Sequence, residues 1–174
     1  MNSVIRVLAR YRVALGFLSG LAVFWLARPT RLSILVGLPV ALAGELTRIW
    51  AAGHLNKSRE VTSSGPYRFV AHPLYLGSAL IGIGLAIGSG SAPVVLIVAV
   101  YLILTLSAAI ASEEAFLRKA FGDSYDQYKR QRVVDRERRF SWRQAMANRE
   151  YRAIAGALVA LLLLIGKATY NGLF

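Results

Sequence analysis

Arg59-Glu-Val-Thr-Ser-Ser-Gly-Pro-Tyr-Arg-Phe-Val-Ala-His-Pro-Leu-Tyr-Leu-Gly77 is a polar, turn-rich stretch between two long apolar runs. Ser63-Ser64-Gly65-Pro66 reads as a turn. His72-Pro73 reads as the start of a helix, with proline in the first turn, where its missing N–H is no loss. The flanking apolar residues come in runs of about fifteen to twenty, the length that crosses a bilayer. Composition agrees. The chain is 56% hydrophobic and 17% charged, with a mean hydropathy of +0.48, whereas soluble domains carry about a quarter charged residues. The stretch is therefore a junction between membrane spans.

Working outward gives five spans in one membrane domain covering residues 1–174. The first is Tyr11 to Ala27, ended by Arg28-Pro29-Thr30-Arg31. Arg6 and Arg10 before it, with Arg12 at its start, look like a signal-peptide n-region. No small-residue cleavage pattern follows, so it reads as a retained helix. The second runs from Leu32 to Ala52, closed by Gly53-His54. The third runs from Leu74 to Gly88 and carries Ser78/Gly82 and Gly84/Gly88 at the small-xxx-small spacing of close helix contacts. The fourth runs from Pro93 to Ala111 and returns as a hairpin. The fifth runs from Ala153 to Tyr170. Sixteen Lys and Arg fall on one side of these spans and three on the other, with Arg48 and Arg152 at helix ends. The positive-inside rule puts the N-terminus in the cytoplasm and the C-terminus outside, in an inner (plasma) membrane. The net charge of +12 is then explained by topology and anionic lipid rather than by nucleic acid. No obligate protein partner is evident.

Several chemistries are excluded. With no cysteine there is no disulfide, thiolate metal site or cysteine nucleophile. Two histidines make a dedicated metal site improbable. Gly82-Ile-Gly84 lacks the third glycine of a dinucleotide fingerprint and reads as helix packing. Glu45 and Arg48 stand three apart on the second span, on one helix face. They read either as a paired structural charge or as part of a substrate cavity, since charges inside spans face the protein interior.

A second polar stretch begins at Glu113-Glu114. Leu117, Phe121, Tyr125 and Tyr128 follow as the apolar stripe of an amphipathic helix. Gly122 breaks or bends it, and Ser124 with Gln127 forms a possible capping box. The hairpin of spans three and four brings this stretch beside residues 59–75. Tyr125 and Tyr128 read as packing residues. His72-Pro73 alone is also read as a plain helix start, and Glu113-Glu114 alone as solvated charges.

The ordered set Ser64-Gly65-Pro66-Tyr67-Arg68, His72-Pro73-Leu74-Tyr75-Leu76-Gly77, then Glu113-Glu114 with Leu117, Phe121-Gly122, Tyr125 and Tyr128 resembles the isoprenylcysteine carboxyl methyltransferase and phospholipid methyltransferase family, over roughly residues 45–135. The resemblance implies an all-α integral membrane enzyme that uses S-adenosylmethionine, releases S-adenosylhomocysteine and acts on a lipid or other lipophilic acceptor. It implies a cofactor site on the cytoplasmic side made by Arg59, Glu60, Val61, Thr62, Tyr67, His72, Pro73, Leu74, Tyr75 and Glu113. Tyr67, Arg68 and Glu113 would position the reactants, and Glu45, Arg48 and Glu114 would face the acceptor. Two positions depart from the pattern. Arg59 stands where eukaryotic prenylcysteine enzymes commonly have histidine. Ala109 stands where an arginine is expected to meet a substrate carboxylate, a role left to Arg48 or Arg68.

The residue types suit the implied reaction. In-line methyl transfer from a sulfonium needs positioning rather than a covalent enzyme intermediate. A cationic donor is favoured by a carboxylate and by aromatic faces, here Glu113, Tyr67 and Tyr75. Two alternatives stand beside it: a membrane reductase of sterol-reductase-like architecture using NADPH, and a non-catalytic membrane protein whose basic loop, including Arg136, Arg138 and Arg139, binds anionic lipid.

Overall fold

Thr30 opens the first helix that is described in full. The structure is a computed structural model and describes residues 20–57, 59–130 and 138–172. Residues 20–26 are helical, and the rest of the first expected span lies outside the described residues. So does most of the basic run 133–139. Helix α1 is Arg31–His54. Its capping box is reciprocal: Ser33 N donates to Thr30 Oγ1 at 3.0 Å and Thr30 N to Ser33 Oγ at 2.8 Å. Each satisfies a donor that a helix start leaves open.

Residues 55–57 and 59–72 are irregular apart from a 3₁₀ turn at Gly65–Arg68. Gly65 has φ +56 and packs against the ring of the buried His54, where a Cβ would lie 2.6 Å from the ring Cγ. Glycine is therefore needed there for both backbone and space. Helix α2, Pro73–Gly88, starts at the expected proline, with His72 as its N-cap. Helix α3 is Ala92–Phe121. It runs ten residues past the expected end at Ala111, because Glu113 to Ala120 are good helix formers and nothing interrupts them. Gly122, at φ +49, stops it. Helix α4, Asp123–Lys129, follows directly, with no side-chain cap hydrogen bond. The expected Ser124/Gln127 capping box does not form, because the helix already begins at Asp123. Short α5 is Trp142–Ala147, and α6 is Tyr151–Tyr170.

Among the described residues every regular element is helical. Three helices, α1, α3 and α6, are long and apolar enough to cross a membrane, and α2 is apolar but shorter. At 1.5 Å per residue its sixteen residues reach about 24 Å, short of a hydrocarbon core of about 30 Å.

The tightest packing is α1 against α2. A Cβ on Gly44 would lie 2.6 Å from Gly77 O, and one on Gly77 the same distance from Gly44 O. Gly37 and Gly84 meet in the same way one heptad along. Of the small-residue pairs expected from spacing, Gly84/Gly88 is used, since a Cβ on Gly37 would meet Gly84 O and lie 2.6 Å from Gly88 N, whereas Ser78/Gly82 is not. Gly82 faces the Leu102 side chain, and Ser78 hydrogen-bonds Arg48. Gly44→Ala should destabilise the bundle by about 1–3 kcal/mol, because backbone cannot retreat as a side chain can. Gly156, with nothing within 4 Å of its Cβ position, is the control. Gly156→Ala should be neutral or stabilising by up to about 1 kcal/mol. Equal melting temperatures in detergent for the two variants would contradict this close approach.

Candidate active site

The end of α1 would leave four carbonyls without helical partners. Here they organise the site. Asn148 Nδ2 donates to Ala52 O and to Leu55 O, each at 2.8 Å, and Gln144 Nε2 donates to Leu55 O at 2.8 Å. Ser141 N donates to Gly53 O at 3.2 Å. The segment before α6 is thereby tied across the end of α1. Arg149, at φ +62, makes the turn that follows, and Glu150 is buried at the start of α6.

Glu150 meets Arg48. Arg48 Nε donates to Glu150 Oε1 at 2.7 Å and Nη2 to Oε2 at 3.0 Å. Arg48 Nη1 donates to Ser78 Oγ at 2.5 Å and to Leu74 O at 3.3 Å. One guanidinium thus joins α1, α2 and α6. This corrects the expected Glu45–Arg48 pairing. The two share a helix face, but the long arginine side chain reaches a better, bidentate partner. Both carboxylate oxygens of Glu45 are buried without a hydrogen-bond partner among the described residues. Glu45 lines a separate apolar cavity of about 180 Å³ between α1, α2 and α6.

The main cavity has a volume of about 1390 Å³. One end is polar, with Glu60, Thr62, Tyr67, His72, Tyr75 and Glu113 in its wall. The other end is the apolar face of α3 from Leu96 to Ala109. Between Leu96 and Glu113 that face extends about 25 Å at 1.5 Å per residue. Of the expected site residues, Glu60, Val61, Thr62, Tyr67, His72, Pro73, Leu74, Tyr75, Glu113 and Arg48 all line this cavity. Four do not. Arg59 is exposed and outside the wall. Arg68 is exposed, with its Nε donating to Gly65 O at 3.3 Å and its guanidinium over Phe69. Glu45 lies in the smaller cavity. Glu114 is outside the wall and is held by His72, Lys129 and Arg118. Ala109 does line the wall, so the position expected to hold an arginine presents a methyl group there.

His72 stands between the two glutamates. Its Nδ1 is 3.7 Å from Glu113 Oε2 and its Nε2 is 3.2 Å from Glu114 Oε1. Glu114 also takes Lys129 at 2.5 Å and Arg118 at 3.6 Å. The Glu113 carboxylate beside it raises the His72 pKa above its ordinary 6.5. Burial opposes this and Glu114 adds to it. A raised folded pKa contributes stability that is fully present below the unfolded value and lost as pH rises through the folded value. The stability gap between wild type and His72→Gln should therefore be widest near pH 6 and shrink toward pH 9. Thermal unfolding across that range reads it, and a gap that widens with pH would refute the pairing. Tyr67 and Tyr128 are pushed well above the ordinary phenol value, chiefly by burial, and remain neutral donors. Tyr128 Oη donates to Tyr67 O at 2.8 Å.

The sequence reading missed Glu150, Asn148 and Lys57 in the cavity wall. For Glu150 a signal existed: it is the last acidic residue in the chain and immediately precedes an apolar helix. Asn148 acts through backbone carbonyls, which no side-chain pattern announces. Among the described residues no group of three or more His, Asp or Glu is arranged to hold a metal ion.

A family model for phospholipid methyltransferase matches residues 19–124. The chain belongs to this family. The phospholipid methyltransferase match includes the junction 59–77 and Glu113-Glu114, and ends just before Tyr125. Among curated proteins, the chain is 33% identical over 88 residues to the protein-S-isoprenylcysteine O-methyltransferase of Schizosaccharomyces pombe, covering 51% of this chain and 37% of that one. It is 33% identical over 89 residues to the cobalt-zinc-cadmium resistance protein CzcN of Cupriavidus metallidurans, covering 50% and 40%. The matched parts are thus about two fifths of the length of these relatives. No solved structure matches the chain.

Proposed function

We propose that this phospholipid methyltransferase family member transfers the methyl group of S-adenosylmethionine to a lipophilic acceptor at the cytoplasmic face of an inner membrane. The observation that carries the reading is the continuity of the main cavity: a carboxylate and tyrosines at one end run directly into an apolar wall on α3. At about 1390 Å³ it exceeds the usual few hundred to about 1,000 Å³ of a single-ligand pocket, leaving room for a cofactor and part of a hydrocarbon chain.

The polar end fits the donor's chemistry. Glu113 and the rings of Tyr67 and Tyr75 present negative charge and π faces, both of which favour a cation. Bound there, S-adenosylmethionine supplies an electrophilic methyl on a positively charged sulfur and leaves as S-adenosylhomocysteine. The chain's part is to hold, orient and dry the site. Glu113, held by His72, fixes a negative charge at one place. Tyr67 is fixed in turn by Tyr128, which donates to its backbone carbonyl. The α3 wall admits a hydrocarbon tail and keeps water from it, which strengthens every charge interaction inside.

Five spans, counting residues 11–27 and α2, put both polar stretches on the side richer in Lys and Arg, supporting a cytoplasmic site with the C-terminus outside. The whole of residues 1–174 then forms one membrane domain. Isothermal calorimetry on the detergent-solubilised chain should show S-adenosylmethionine binding, and labelled donor should pass methyl to a component of a lipid extract. An NADPH-dependent thermal shift with none from S-adenosylmethionine would overturn the reading.

A further inference from the structure

The charged side chains in the wall of the main cavity are Arg48, Lys57, Glu60, His72, Glu113 and Glu150. All but Lys57 have charged protein partners. Arg48 and Glu150 hold each other, Glu60 takes Arg138, and His72 stands between Glu113 and Glu114. Lys57 is exposed and makes no hydrogen bond or ion pair with the described residues. A lysine on open surface needs no partner, but this one is part of a cavity wall. The backbone on either side of it is anchored. Leu55 O accepts from Gln144 and Asn148, and Asn56 N donates to Thr62 Oγ1 at 3.2 Å. Its charge also reaches the polar end of the cavity. Glu113 is held below its ordinary carboxylate range chiefly by His72, and Lys57 adds to this.

The methyl donor carries a sulfonium, an ammonium and a carboxylate. Acidic groups in the wall suit the first two. A carboxylate taken out of water into the same space is costly unless a cation meets it. The Arg48 guanidinium is taken up by Glu150, and the His72 ring faces acids on both sides, which leaves Lys57. An ammonium on a flexible stem is a point charge that can follow a ligand's oxygens. We propose that Lys57 binds the carboxylate at the amino-acid end of the methyl donor, so that the donor lies between Glu113 at its sulfonium and Lys57 at its carboxylate. This rests on the methyl-transfer reading above. A phosphate on a lipid presents the same oxyanion chemistry, and the test separates the two sources.

The full chain in detergent is titrated with S-adenosylmethionine and with its decarboxylated form, which keeps the sulfonium and the ammonium and lacks only the carboxylate. Wild type should bind the first about 3–10-fold more tightly, between the effect of an exposed ion pair and that of a charge-assisted hydrogen bond. Lys57→Gln should lose that preference, and Lys57→Arg should keep most of it. Without ligand, Lys57→Gln should melt with wild type, because no protein partner is lost. No preference in wild type, or one retained in Lys57→Gln, would overturn the inference. So would an equal loss of affinity for both probes. If Lys57→Gln keeps the preference but loses affinity for phosphatidylglycerol, the oxyanion is a lipid phosphate and the assignment to the donor fails. A wild-type chain that binds neither probe would instead sink the methyl-donor reading, and this inference with it.

Discussion

Glu150→Ala should destabilise the protein by roughly 3–5 kcal/mol, the effect of leaving a buried charge without its partner. Glu150 is buried, and its carboxylate takes both arms of the Arg48 guanidinium. Without it, Arg48 keeps only Ser78 Oγ and Leu74 O, neither of which carries a compensating charge. On the scale of domains of this size the loss is a melting-temperature drop of about 6–20 °C. The double variant Arg48→Met, Glu150→Leu should recover much of it, because an apolar pair of similar volume needs no charge compensation. If Glu150→Ala melts like wild type in detergent, the pair is not a stabilising tie between α1 and α6.

Glu113→Gln should weaken S-adenosylmethionine binding by about 10–150-fold, the range expected for one charge-assisted interaction of about 1.5–3 kcal/mol. It should weaken S-adenosylhomocysteine binding far less, because the product has lost the sulfonium charge that we propose faces Glu113. Competitive calorimetry with both ligands separates the possibilities. Equal loss for the two would mean that Glu113 acts only by holding His72 in place, 3.7 Å away. Methyl transfer should fall along with donor affinity, since a misplaced donor loses the in-line geometry that accounts for most of the rate.

The junction 59–77 was legible because turn residues and proline act locally. Gly65 at φ +56 and Pro73 at the first position of α2 are demanded by the backbone itself. The hairpin was legible from the lengths of the apolar runs, and it does bring Glu113 to His72. The arginines were less legible. Arg59 and Arg68 neighbour the motif in sequence, but their side chains run outward. Arg48 and Glu150 lie 102 positions apart, so no local pattern could join them. The α1–α2 contact was legible in part. Spacing picks out Gly84 and Gly88, which do meet Gly37, but not Gly44 and Gly77, whose partners lie on the facing helix.

The same 102-residue gap also has a meaning in time. At about 5–20 residues per second, the ribosome completes α1 on the order of 5–20 s before Glu150 exists. Through that interval the carboxylate within Arg48's own membrane segment is Glu45, three residues back, and the long arginine stem can lift the guanidinium toward the headgroups. The tie between Arg48 and Glu150 therefore closes last, and a chain cut short before residue 150 should be handled by the cell as unfinished.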